Sequence, residues 1–200
     1  MFQIILASAS PRRRELLGLL YKGFSVIPAT GEEVLTTRDP ARAVMELSCQ
    51  KAEEVESRTK GQALILGADT VVALEGEILG KPGSEQEAFA MIQKLQGRVH
   101  SVFTGVTILV REESGACRKS TFAEETRVTV SPMTEEQIQG YIDKKESLDK
   151  AGAYAIQGFF GIFVEGIEGD YNNVVGLPLS RLYREARKLG VDLIKERVGV

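Results

Sequence analysis

Tryptophan is absent from the 200 residues, histidine occurs once and cysteine twice. Two cysteines cannot build a disulfide framework. Cys49 and Cys117 also lack CxxC spacing, so they fit free, inert thiols in a reducing compartment. His100 alone leaves no histidine-rich zinc site and disfavours a Ser-His-Asp triad. Long apolar runs are missing too. The longest stretch without a charged residue, Ala151 to Val164, is short of a bilayer span and holds three glycines and a glutamine. Near the N-terminus the apolar residues precede the basic cluster Arg12-Arg13-Arg14, the reverse of a secretory signal. Nor is there an excess of positive charge: Lys plus Arg is 25, Asp plus Glu is 28, and the net charge is −3. Non-specific nucleic-acid binding loses its driving force at that balance. The expectation is a cytoplasmic protein with neither a nucleic-acid nor a membrane partner.

What is present is ordinary globular composition, 43% hydrophobic and 26% charged, which excludes disorder. No repeat and no Pro- or Ser-rich linker divides the chain, so one domain over 1–200 is expected. Phe2 to Ala7 reads as a buried strand, and Ser10-Pro11 as the cap and first turn of a helix to Tyr21. Phe24 to Pro28 is a second strand. Asp39-Pro40 opens a helix to about Ser57, and Ala63 to Leu74 is a central strand. Ser84 with Glu87, and Thr134 with Gln137, are capping boxes, the second opening a helix to about Lys145. Val99 to Val110 and Arg118 to Val130 form a hairpin around Glu113-Ser114-Gly115. Ala151 to Gly176 mixes loop with short strands, and Pro178 to Leu189 is a closing helix. Strands alternating with helices, plus one hairpin, predict an α/β or α+β fold with a mixed sheet.

Several polar residues sit where structure alone would not put them. Asp69 lies inside Leu64-Ile65-Leu66-Gly67-Ala68-Asp69-Thr70-Val71-Val72. A buried carboxylate there needs a partner or a metal. Alternatively, Gly67 breaks the strand and leaves Asp69 in a solvated turn. Lys51 falls on the apolar stripe Val44, Leu47, Val55, which asks for an anion or for a snorkelling ammonium. Ser8-Ala9-Ser10-Pro11-Arg12-Arg13 is either a phosphate cradle at a helix N-terminus or a plain capped helix with a wet basic turn. Gly80-Lys81-Pro82 fails the Walker A spacing, so Lys81 is a loop cation. Glu32-Glu33 is solvated surface unless it joins Asp69 around a hard cation. Together these residues are acids plus cations suited to metal-assisted attack on a phosphoanhydride. Tyr154, Gly158, Phe159 and Phe160 either wall a base pocket or pack a core.

These same segments resemble the Maf family of nucleoside triphosphate pyrophosphatases almost end to end. The resemblance runs through Leu6-Ala7-Ser8-Ala9-Ser10-Pro11-Arg12-Arg13, Glu32-Glu33, Lys51-Ala52, Gly67-Ala68-Asp69-Thr70 and Gly80-Lys81-Pro82. It continues through His100-Ser101-Val102-Phe103-Thr104-Gly105, Asp149-Lys150-Ala151-Gly152-Ala153-Tyr154, Ile156-Gln157-Gly158 and Asn173-Val174-Val175-Gly176-Leu177-Pro178. It implies an elongated α/β domain, a mixed twisted sheet flanked by helices, and a cleft between two lobes. It also implies hydrolysis of a nucleoside triphosphate to monophosphate and pyrophosphate with Mg²⁺ or Mn²⁺. The implied catalytic residues are Asp69, Lys51, Lys81 and Glu33. Those implied for substrate are Ser8, Arg12, Arg13, Thr70 and Gln157, and for metal Asp69 with Glu33 and Glu32. Arg12, Thr70 and Gln157 match the branch acting on dTTP and UTP. A Gln side chain, donor and acceptor at once, suits the O4/N3 edge of uracil or thymine. Phe160 departs from the family's small residue, so a narrowed pocket or a shifted loop is expected there. A homodimer is implied by the resemblance alone. The competing expectations are the same chemistry on another base, such as 7-methyl-GTP, and a non-catalytic nucleotide-binding regulator of septum formation.

Overall fold

The computed structural model describes residues 3–194. In chain order the elements are β1 (Gln3–Leu6), α1 (Pro11–Leu20), β2 (Ser25–Val26), α2 (Pro40–Ser57), β3 (Ala63–Leu74), β4 (Glu77–Leu79) and α3 (Glu85–Leu95). There follow β5 (Val99–Arg111), β6 (Cys117–Val130), α4 (Glu135–Ile142), β7 (Val164–Glu168), α5 (Tyr171–Val175) and α6 (Leu179–Lys188). One seven-stranded sheet takes the order β2-β1-β3-β5-β6-β7, with β4 paired to β3. The β1 pairings are parallel and all others antiparallel, so the sheet is mixed as expected.

β3 is apolar along its length because both its faces are covered. Leu64, Leu66 and Ala68 pack with Leu16, Leu17, Leu182 and Ala186 of α1 and α6, while Ala63 and Ile65 pack with Ala52 and Val55 of α2. A third core, around Ile92, Tyr141 and Phe160, lies at the far end of β3 under α3 and α4. Two glycines let α2 lie almost on the sheet. A Cβ at Gly67 would stand 2.1 Å from the Ser48 carbonyl oxygen, and one at Gly105 2.1 Å from that of Val44. Gly67 therefore permits a close helix approach and does not end the strand.

The β3 edge is only partly covered. β1 pairs with it from Ala63 to Leu66, and β4 only from Val72 to Leu74. Between them, β3 residues 67–71 have no strand neighbour on that side, and the chain leaving β1 turns away into α1. The gap is the cleft.

Local expectations differ at a few places. Phe2 lies outside the described residues. The second strand is cut to Ser25–Val26, where it meets β1. Ser84 caps Glu87 N, but the Glu87 carboxylate accepts from Gly83 N at 2.7 Å, so that box is displaced by one residue. The Thr134–Gln137 box forms in full, yet α4 ends at Ile142, and Lys145 takes a left-handed φ of 60°. The segment from Ala151 to Gly176 holds two 3-10 turns, β7 and α5, and so is more helical than expected. Phe160 does not narrow the cleft: it is fully buried, packed against Tyr154 and edge-on to Tyr141 with ring centroids 4.6 and 5.0 Å away.

Candidate active site

A cleft of about 680 Å³ opens over the uncovered edge of β3. Its floor is Asp69, Thr70 and Val71. One wall is the β1–α1 turn from Ala7 to Arg13, and the other is Ile78, Gly80 and Lys81 with the chain from Asp149 to Gln157. The lining holds five cations against three carboxylates, although the chain as a whole is acidic. That local excess favours an anion.

Successive residues of a strand face opposite ways, so Asp69 and Thr70 serve different halves of the site. Asp69 faces α2. Its Oδ1 accepts from Lys51 Nζ at 2.5 Å, and the same ammonium meets Glu33 Oε1 at 2.9 Å. The Lys51 and Asp69 side chains are 16% and 15% exposed. Both earlier alternatives are thereby decided: Asp69 is a paired mid-strand carboxylate, and Lys51 is an ion-paired lysine, not a snorkelling one. Glu33 lines the cleft and Glu32 does not.

Thr70 faces Arg13. The Arg13 guanidinium donates from Nη2 to Thr70 Oγ1 at 2.9 Å, from Nη1 to Ser8 Oγ at 3.1 Å and from Nε to the Gly176 carbonyl at 2.9 Å. Burial lowers its pKa from the usual arginine value, and the nearby Asp69 charge raises it again. Thr70 is held in turn by Thr104 at 2.9 Å, whose hydroxyl donates to the Asn173 carbonyl. Ser8 and Arg13 thus form a preorganised pair at the start of α1. Arg12 reaches Asp149 at 3.7 Å, and Lys81 stands exposed on the opposite wall. Gln157 is exposed and lines the cleft together with Ile156 and Tyr154.

All the expected residues except Glu32 therefore line one cleft. Two others do so unexpectedly. Lys150, its side chain 14% exposed, pairs with Asp149 at 2.5 Å, and Asp149 faces Arg12 across the opening. Their sequence signal was the family-like segment Asp149-Lys150-Ala151, which carried no assigned role, and a charged pair immediately before an uncharged run. His100 is not part of the site surface. It is buried, its Nε2 lies 2.6 Å from the Tyr154 hydroxyl, and it holds a cleft-wall tyrosine from behind.

Among the described residues no three His, Cys, Asp or Glu side chains form a metal cage, and Asp69 and Glu33 are the two carboxylates gathered on Lys51. Two carboxylates with phosphate oxygens and water are the usual set for Mg²⁺ bound together with a nucleotide. The donor set fits that mode and not a self-sufficient metal centre.

The sequence profile of the Maf-like protein family matches residues 3–189. A dTTP/UTP pyrophosphatase of Agathobacter rectalis is 52% identical over 96% of this chain and 100% of its own length. Proteins of the same name from Lachnoclostridium phytofermentans and Carboxydothermus hydrogenoformans are 47% and 49% identical. They cover 98% and 94% of this chain and 100% and 99% of their own. No helix among the described residues is long and apolar enough to cross a membrane.

Proposed function

The chain belongs to the Maf-like family, and from that premise we propose that it hydrolyses dTTP and UTP to the monophosphate and pyrophosphate. The observation that carries this is the meeting of Asp69, Lys51 and Glu33 with Arg13 and Lys81 at one uncovered strand edge. The relatives' shared name agrees with it. An acid, its counter-ion and flanking cations are what attack on a phosphoanhydride requires.

A water beside Asp69 attacks the α-phosphorus. The new bond joins water oxygen to phosphorus, and the bond to the α–β bridging oxygen breaks. The water proton passes to the Asp69 carboxylate, and the electron pair leaves with pyrophosphate. Lys51 orients Asp69 and Glu33 through its two ion pairs. Arg13 and Ser8 hold one set of phosphate oxygens from the start of α1, and Lys81 and Arg12 compensate charge from the two walls. Asp69 and Glu33 would hold Mg²⁺ or Mn²⁺, which when bound supplies Lewis-acid neutralisation of phosphate charge. Glu32, outside the lining, is left without a direct part. Thr70 acts by fixing Arg13, and Gln157 reads the pyrimidine edge. The enzyme works on the cytoplasmic nucleotide pool; a homodimer is expected from the family alone and is checked by sedimentation.

The test is pyrophosphate release from a panel of nucleoside triphosphates with Mg²⁺ or Mn²⁺. Release from dTTP and UTP, abolished in a folded Asp69→Asn variant, is the expected result. Full activity in that variant removes Asp69 from its role. Gln157→Glu should weaken turnover of dTTP and UTP relative to 7-methyl-GTP, and unchanged base selectivity would sink the assignment of Gln157.

A further inference from the structure

Glu33 lies in an exposed loop that is not part of the sheet, yet its carboxylate must stay within reach of Lys51 and Asp69. What holds it is the outer face of α2. Glu46, Gln50 and Glu54, spaced four apart, reach up to the loop backbone in turn. Glu46 accepts from Thr36 N at 2.9 Å and Thr36 Oγ1 at 2.7 Å. Gln50 grips Val34 both ways: its Oε1 accepts from Val34 N at 3.0 Å, and its Nε2 donates to Val34 O at 2.5 Å. Glu54 accepts from Thr30 N at 3.0 Å and Gly31 N at 2.9 Å.

The spacing explains why this works. Four helical residues rise about 6 Å, and two extended residues span about 6.6 Å. Steps from Glu46 to Gln50 on the helix therefore match steps from Thr36 back to Val34 on the loop, which runs antiparallel. The next helix step, to Glu54, meets Gly31 and Thr30, so the loop spends one or two extra residues there. That slack contains Glu32 and Glu33, and it lets Glu33 swing from the ladder onto Lys51, the residue next to Gln50.

We propose that Gln50 is a positioning residue for the reaction, pinning Val34 so that the Glu33 carboxylate stays on Lys51 beside Asp69. The inference rests on the pyrophosphatase reading of this site. The hydrogen bonds from Thr36, and from Thr30 and Gly31, lower the pKa values of Glu46 and Glu54 below the usual carboxylate range, so both outer rungs stay ionised at neutral pH. The middle rung, a neutral amide pairing with one peptide group as a neighbouring strand would, is the one nearest Glu33 in sequence.

The test is Gln50→Met, which keeps bulk and helix propensity and removes only the two hydrogen bonds. Expected are a kcat lowered roughly ten- to a hundredfold, on the scale of a small misplacement at an active site, KM within about twofold of the parent because the phosphate-binding cations are untouched, an unchanged melting temperature, and faster amide exchange at Val34. Combined with Glu33→Gln, the substitution should cost nothing further, as for residues acting through one another. Unchanged kcat in Gln50→Met while Glu33→Gln is impaired overturns the positioning inference alone. An additive loss in the double variant overturns it too. Glu33→Gln turning over at the parental rate overturns instead the reading of the site on which it rests.

Discussion

At the residue scale the site is organised by one ammonium. Among the described residues, Lys51 is the one ion-pair partner that Asp69 and Glu33 share. Lys51→Ala removes the charge that bridges Asp69 and Glu33. Turnover should fall by about 10²–10³, the usual effect of losing one preorganised charge. Lys51→Arg should recover little, because a planar fork cannot replace a point charge between two carboxylates. A loss confined to KM would place Lys51 in ground-state binding instead. His100 gives a stability prediction of definite sign. Burial lowers its pKa from 6.5 to about 4, and its Nδ1 has no partner. The unfolded chain therefore binds the proton first as pH falls. Stability is fully present above pH 6.5 and is lost between 6.5 and about 4. Chemical denaturation at pH 5 should show a loss on the order of 2 kcal/mol relative to pH 7 from this group, removed in His100→Gln.

At the element scale the decisive contact is α2 against β3 and β5. Gly67 and Gly105 sit where any Cβ would strike helix backbone, which cannot rotate away as a side chain can. Gly67→Ala should cost at least about 1–3 kcal/mol and, by lifting α2, part Lys51 from Asp69. Gly18, inside α1 with nothing within 4 Å of its added Cβ, should respond oppositely: Gly18→Ala stabilises by about 0.5–1 kcal/mol. Thermal melts of the two variants check both signs. The same contact shows what the sequence could and could not disclose. α2 and β3 were readable to the residue, because Asp39-Pro40 is a strong start signal and a strand covered on both faces shows as an unbroken apolar run. β4 and α5 were not, being too short for any periodicity. Asp69 and Lys51 stood out because each broke an apolar pattern. Gln50 and Lys150 broke none, since polar residues on a helix face or in a loop are the norm. Their work is visible only once Val34 and Asp149 are seen beside them.

At the scale of the whole molecule, the cleft lies where three separately packed cores meet the uncovered edge of β3. The β1–α1 turn leads into α1, whose Leu16 and Leu17 lie in the first core, α2 with Lys51 flanks the core around Ile65, and the wall from Ala151 to Tyr154 leans on the core around Phe160. A nucleotide spanning the opening would touch all of them, and its phosphates would compete for cations such as Arg12, which now faces Asp149 across the gap. Ligand binding should therefore stabilise the fold as a unit. A non-hydrolysable dUTP analogue at about a hundred times its dissociation constant contributes about 2.7 kcal/mol. In a chain of this length that corresponds to a rise in melting temperature of about 5–10 °C. A 7-methyl-GTP analogue at the same concentration should raise it less if Gln157 reads a pyrimidine edge as proposed. An equal rise for both leaves the phosphate half of the site intact and takes base selection away from Gln157. A rise for neither would mean that the cleft does not hold a triphosphate.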